Sequence, residues 1–76
     1  MFTVEIGKEH DVVDITLDDE GIDDLIKRLT RLRGKRDHEH LMTPSWGGYE
    51  LSETRNTAEN VLVHQVNIYS VGPDKK

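Results

Sequence analysis

The first seventeen residues alternate between apolar and polar positions. Phe2, Val4 and Ile6 share one parity against Thr3 and Glu5, and Val13, Ile15 and Leu17 repeat the pattern against Asp14 and Thr16. A period of two marks half-buried strands. The link GKEHD is of hairpin length and contains a glycine. It predicts an antiparallel hairpin with one buried face.

The period changes at Asp18. Ile22, Leu25, Ile26, Leu29 and Leu32 fall at helical spacing. Asp18 or Asp19 suits the N-cap, and Gly34 suits the position just past the end. Acids crowd the first turns and bases the last, as the helix dipole favours. Asp23/Lys27 and Asp24/Arg28 are acid-to-base pairs four apart, worth a few tenths of a kcal/mol each.

Beyond the helix, DHEHLMT reads as a short third strand and PSWGG as a turn. Tyr49–Leu51 is expected to form a short strand before a loop. VLVHQVNIYSV carries the longest β signal: Leu62, His64, Val66 and Ile68 on one face, Val61, Val63, Gln65, Asn67 and Tyr69 on the other. The expected architecture is α+β, a small, mainly antiparallel sheet of about four strands with one helix packed on one face. The order is β-β-α-β-(β)-β. Three or more strands plus a helix is near the minimum that holds a core at this size. A chain of 76 residues is one domain, expected over residues 1–71, with a loose tail at 72–76.

Composition tempers this picture. Hydrophobic residues are 34% and charged residues 33%, a balance that raises disorder, and the apolar patterning argues against it. There is no cysteine, hence no disulfide framework and no thiolate metal site. The N-terminus lacks the basic and apolar regions of a signal peptide, and no apolar run approaches the ~20 residues that span a bilayer. The expectation is a soluble, cytoplasmic protein with no membrane partner.

Charge is segregated. Residues 1–26 carry nine acids and one base, residues 27–36 six bases and no acid, and the whole chain is −5. A net-acidic domain repels nucleic acid and speeds encounter with a basic partner. The run KRLTRLRGKR could touch phosphates, but it has no interleaved aromatics and the dipole already accounts for it.

Candidate chemistry is sparse. His38 and His40 share a strand face opposite Leu41, while His64 shares parity with Val66 and Ile68. Three imidazoles split between two faces do not make a metal site, so none is expected. No nucleophile motif or phosphate-binding glycine loop is present, so no catalytic residue and no cofactor are expected. What remains is the turn. Pro44 ends the third strand, and Gly47 and Gly48 permit positive φ or close backbone approach. Trp46 either closes one end of a small core or, with Tyr49, forms an aromatic anchor of the kind enriched at interfaces.

His40, Leu41, Met42, Thr43, Pro44, Trp46, Gly47, Gly48 and Leu51 follow a β-β-α opening and precede NVLVHQVNIYSV. From about Phe2 to Val71 the chain resembles the immunity protein 32 family. These are small bacterial proteins of polymorphic toxin systems, predicted to neutralise the toxin encoded beside them. The resemblance implies an α+β fold, no catalysis and a cognate toxin as partner. A net-acidic immunity protein suits a basic toxin, such as a nuclease. The candidate binding surface is then the 43–50 loop: Trp46, Tyr49, Gly47 and Gly48, rimmed by Glu39, Glu50 and Glu53. Asp18–Asp24 is a second acidic patch. The outer face of the last strand (Val61, Val63 and Tyr69) leaves monomer and homodimer equally open. The other readings are a regulatory or adaptor module without a toxin, and a metal binder through His38 and His40 with His64.

Overall fold

The hairpin pairs as its alternation predicts. In the computed structural model, which describes residues 1–72, β1 (Phe2–Ile6) and β2 (Val13–Leu17) pair antiparallel from Phe2↔Leu17 to Ile6↔Val13. Burial does not follow the alternation: Val13 and Ile15, expected on the buried face, are exposed at 61% and 55%, whereas β1 is buried on both faces. Gly7 N–H donates to Val12 O at 2.8 Å and closes the turn. Helix α1 (Asp19–Leu32) follows directly. Asp18 is its N-cap: the carboxylate accepts from Gly21 N–H at 2.8 Å and pairs with the terminal ammonium of Met1. Gly34 takes φ +78° just past the end, as the sequence places it. Gly21 is required by close approach, because a Cβ there would overlap the carbonyl oxygen of Met1.

The remaining strands are β3 (Arg36–Met42), β4 (Val61–Leu62) and β5 (Gln65–Val71), with a 3-10 turn at Pro44–Trp46. The fold is α+β with antiparallel pairing throughout, as expected, but the strands divide between two sheets. One has the order β2-β1-β4; the other is β3-β5. The segment expected as one long strand breaks at Val63 and His64. Val63 N–H donates to Val4 O of the first sheet at 2.8 Å, and His64 O accepts from Thr43 N–H of the second at 3.0 Å. Two residues thus carry the chain from one sheet to the other. Tyr49–Leu51 is not a strand. Its one ladder-like bond is Leu51 N–H to Met42 O, 3.1 Å, which fixes Leu51 in the core.

Phe2, Val4, Leu41 and Leu51 form the buried core, with Leu17, Leu25, Val63, Val66 and Ile68 packed against it. Val63, expected on the outer face, is therefore inside: the break resets the alternation. The opposite face of β1 is also covered. Glu5 Oε2 accepts from Asn56 N–H at 2.8 Å and Thr57 N–H at 3.3 Å, and Thr3 and Glu5 are fully buried. Helix α1 divides its apolar residues. Leu25 and Leu32 turn inward, while Ile22, Ile26 and Leu29 remain exposed. The loose tail expected at 72–76 lies, apart from Gly72, outside the described residues.

Candidate functional site

The 43–50 loop is held from several sides. Thr43 is fully buried and its O accepts from Trp46 N–H at 2.9 Å and Gly48 N–H at 3.0 Å. Glu50 Oε1 accepts from Met42 N–H at 3.0 Å and Tyr49 N–H at 3.3 Å. Glu53 Oε2 accepts from Ser45 N–H at 2.7 Å. These carboxylates satisfy backbone donors that a tight turn would otherwise leave unpaired. Gly47 adopts φ +92°, the left-handed region, with open space around it. Gly48 is needed for a different reason: a Cβ would meet Met42 O at 2.6 Å.

On this backbone the two aromatics face solvent, Trp46 at 58% and Tyr49 at 82% of full exposure. Trp46 is therefore not the closing piece of the core. Its indole stacks on His64, centroids 5.7 Å apart and planes 2° apart. His64 is in turn fixed by Thr43, whose Oγ1 lies 2.7 Å from Nδ1.

The acids expected at the rim separate. Glu50 and Glu53 are at the loop. Glu39 is buried in β3, where Arg28 Nη1 donates to it at 3.1 Å and Arg31 pairs with its other oxygen. Arg28 also holds Asp24 at 2.9 Å, joining helix to strand. Burial works to raise the Glu50 pKa, but the N–H groups of Met42, Glu50 and Tyr49 and the Arg28 charge outweigh it and hold it below the usual value. Hydrogen bonds from Ser45 keep Glu53 low as well. An open groove of about 480 Å³ runs between α1 and the loop, lined by Lys27, Arg28, Tyr49 and Glu50 among others.

Thr43, His64 and Glu53 bring a hydroxyl, an imidazole and a carboxylate together. They are not a catalytic relay. Thr43 and Glu53 both address Nδ1, at 2.7 and 3.9 Å, whereas a relay needs the nucleophile and the acid on opposite ring nitrogens. Sequence reading missed the Thr43–His64 bond, which joins residues 21 apart and leaves no local pattern. His38 and His40 lie exposed on the outer face of β3, edge to face at 4.6 Å. Among the described residues no group of three or more His, Cys, Asp or Glu could hold a metal ion. Nor is any helix there long and apolar enough to cross a membrane.

Comparison with known families is decisive. The model of the family described as Immunity protein 32 matches residues 12–66. The chain belongs to the immunity protein 32 family. The match includes the helix, β3, the whole 43–50 loop and the sheet crossing at Val63–His64, and leaves out β1 and most of β5. No curated protein matches the chain, and no solved structure matches it. Immunity proteins act by neutralising toxins through binding, and as a class they are generally not catalysts. Within the immunity protein 32 match, the loop is where apolar aromatic surface is presented on a fixed backbone.

Proposed function

We propose that this chain neutralises a basic bacterial toxin, of nuclease type, by docking the 43–50 loop against it. Trp46 and Tyr49 are the anchors. Gly47 and Gly48 shape the backbone that carries them. Glu50 and Glu53 clamp that backbone and supply negative charge at its edge, while Glu39 acts from beneath by fixing Arg28 beside Glu50.

The observation that carries this reading is the exposure of Trp46 and Tyr49 on a backbone tied down by Thr43, Glu50 and Glu53. Preorganised aromatics lose little conformational freedom on binding, which is why they dominate interface energetics. The net charge of −5 adds steering toward a basic partner.

The test is calorimetric titration of the toxin encoded beside this chain with the parent, Trp46→Ala and Tyr49→Ala. Each substitution is expected to weaken binding by about 2 kcal/mol or more, roughly thirtyfold, with an unchanged far-UV spectrum. Equal affinity of both folded variants would remove the loop from the interface. A toxin that binds none of the proteins would remove the function.

A further inference from the structure

Five residues of α1 and its cap repeat at intervals of three and four: Asp19, Ile22, Ile26, Leu29 and Arg33. That spacing places them in one stripe along the helix. The stripe is outside the core. Ile22 is 41%, Ile26 56% and Leu29 45% exposed, and Asp19 and Arg33 are exposed at its two ends. Among the described residues neither Asp19 nor Arg33 forms an ion pair within the chain.

The order along the stripe is symmetric about Ile26 to within one residue and antisymmetric in charge. Asp19 and Arg33 are each seven residues from Ile26, Ile22 is four before it and Leu29 three after it. The flanking charges follow the same order: the helix has Glu20, Asp23 and Asp24 before this point and Lys27, Arg28 and Arg31 after it, with no base among the first set and no acid among the second. A surface with this order is complementary to itself. When two copies are laid antiparallel about a twofold axis through Ile26, Asp19 of each meets Arg33 of the other. Ile22 then meets Leu29, and Ile26 meets its own counterpart. A parallel pairing would set acid against acid. Closed twofold dimers are the commonest assemblies of small soluble chains, and each uses the same patch twice.

We infer that α1 is a self-association face, and that two copies of this chain pair through antiparallel α1 helices centred on Ile26. Charge order selects the second copy as the occupant. A basic toxin would gain from the acidic end of the stripe and lose at Arg33, whereas a second copy satisfies both ends. This face is separate from the 43–50 loop, so its test requires no toxin.

The experiment is sedimentation equilibrium of the parent and four variants, with circular dichroism to confirm the helix in each. The parent is expected to form a concentration-dependent dimer. Ile26→Asp brings two carboxylates to one desolvated point and is expected to raise the dissociation constant about a hundredfold or more. Asp19→Arg alone and Arg33→Asp alone each make both ends of the stripe alike in charge, so each is expected to be mostly monomeric. Mixed in equal amounts they restore opposite charges at both contacts and are expected to form a heterodimer. The fourth variant, Tyr69→Ser on the outer face of β5, is expected to dimerise like the parent. A parent that stays monomeric overturns the inference. So does a dimer that survives Ile26→Asp but is lost in Tyr69→Ser, which would place the interface on the sheet. A mixture of the two charge variants that fails to pair overturns the antiparallel register.

Discussion

The indole of Trp46 lies parallel to the imidazole of His64, with the ring centroids 5.7 Å apart. This contact joins the exposed loop to the chain segment that crosses between the sheets. One side chain thereby links the candidate binding surface to the fold. Trp46 is also the only tryptophan, so its emission reports on the loop alone.

Replacing His64 with alanine removes the stacked ring and the partner of the buried Thr43 hydroxyl. A buried hydroxyl left unpaired costs about 1–3 kcal/mol. His64→Ala is expected to lower the urea midpoint accordingly and to reduce the steady-state anisotropy of Trp46. An unchanged anisotropy would mean that the ring does not restrain the indole.

The two glycines of the loop should respond differently to alanine. At Gly47 there is space but φ is +92°, so the cost is that of a left-handed residue, roughly 1–2 kcal/mol. At Gly48 the added carbon meets Met42 O at 2.6 Å, and backbone must move. Gly48→Ala is expected to destabilise more, by about 2–3 kcal/mol, and to shift Trp46 emission. Thermal melts of the two variants give the order directly.

Glu39 pairs with both Arg28 and Arg31 at the junction of α1 and β3. Among the described residues, Glu39→Ala leaves the half-buried Arg28 with Asp24 as its remaining ion pair and Glu50 nearby. Removing one partner of a buried pair costs about 3 kcal/mol where nothing compensates, and the remaining Asp24 contact brings the expected loss to about 2 kcal/mol. Arg31 is mostly exposed, so Arg31→Ala is expected to cost under about 1 kcal/mol. Chemical denaturation of both distinguishes a true junction from a surface pair.

Acid should loosen the loop before the hairpin. Glu50 and Glu53 both have folded pKa values below the ordinary 4.5. A carboxylate depressed in the folded state contributes stability that is complete above the unfolded value and is lost as pH falls through the folded one. Trp46 emission is therefore expected to change below pH 4.5, while the far-UV signal of the strands persists further down. In Glu50→Gln the acid-induced change should be smaller. A coincident loss of both signals in the parent would deny the loop any separate titration.

Much of this was legible in the sequence because it depends on neighbours. Alternation gave β1 and β2, helical spacing gave α1, and Asp18 and Gly34 bound the helix as cap chemistry requires. The parity of Leu41 placed His38 and His40 outside, and the same parity places Glu39 inside. That consequence was available from the strand alone. Its acidic character argued for the rim, and only Arg28 and Arg31 arriving from the helix make its burial tolerable. The exposed loop aromatics were one of two open readings, since an indole beside two glycines fits a core edge as well as a surface.

Within the sequence by itself, local pattern was enough for β1, β2, α1 with its caps, β3, the glycine-bearing turn and the charge order of the helix, but it misread Tyr49–Leu51 as a strand. The features it determined follow from local periodicity and local backbone limits. The tertiary structure alone decided which apolar faces are covered. It split residues 61–71 between two sheets, drew Val63 inward, buried Glu5 and Glu39, and left Trp46, Ile22, Ile26 and Leu29 outside. The reason is that burial depends on what arrives from elsewhere in the chain. The Asn56 and Thr57 amides pair one oxygen of the buried Glu5 carboxylate, the Arg28 guanidinium pairs Glu39, and a core of this size has no room for every apolar residue that the pattern offers.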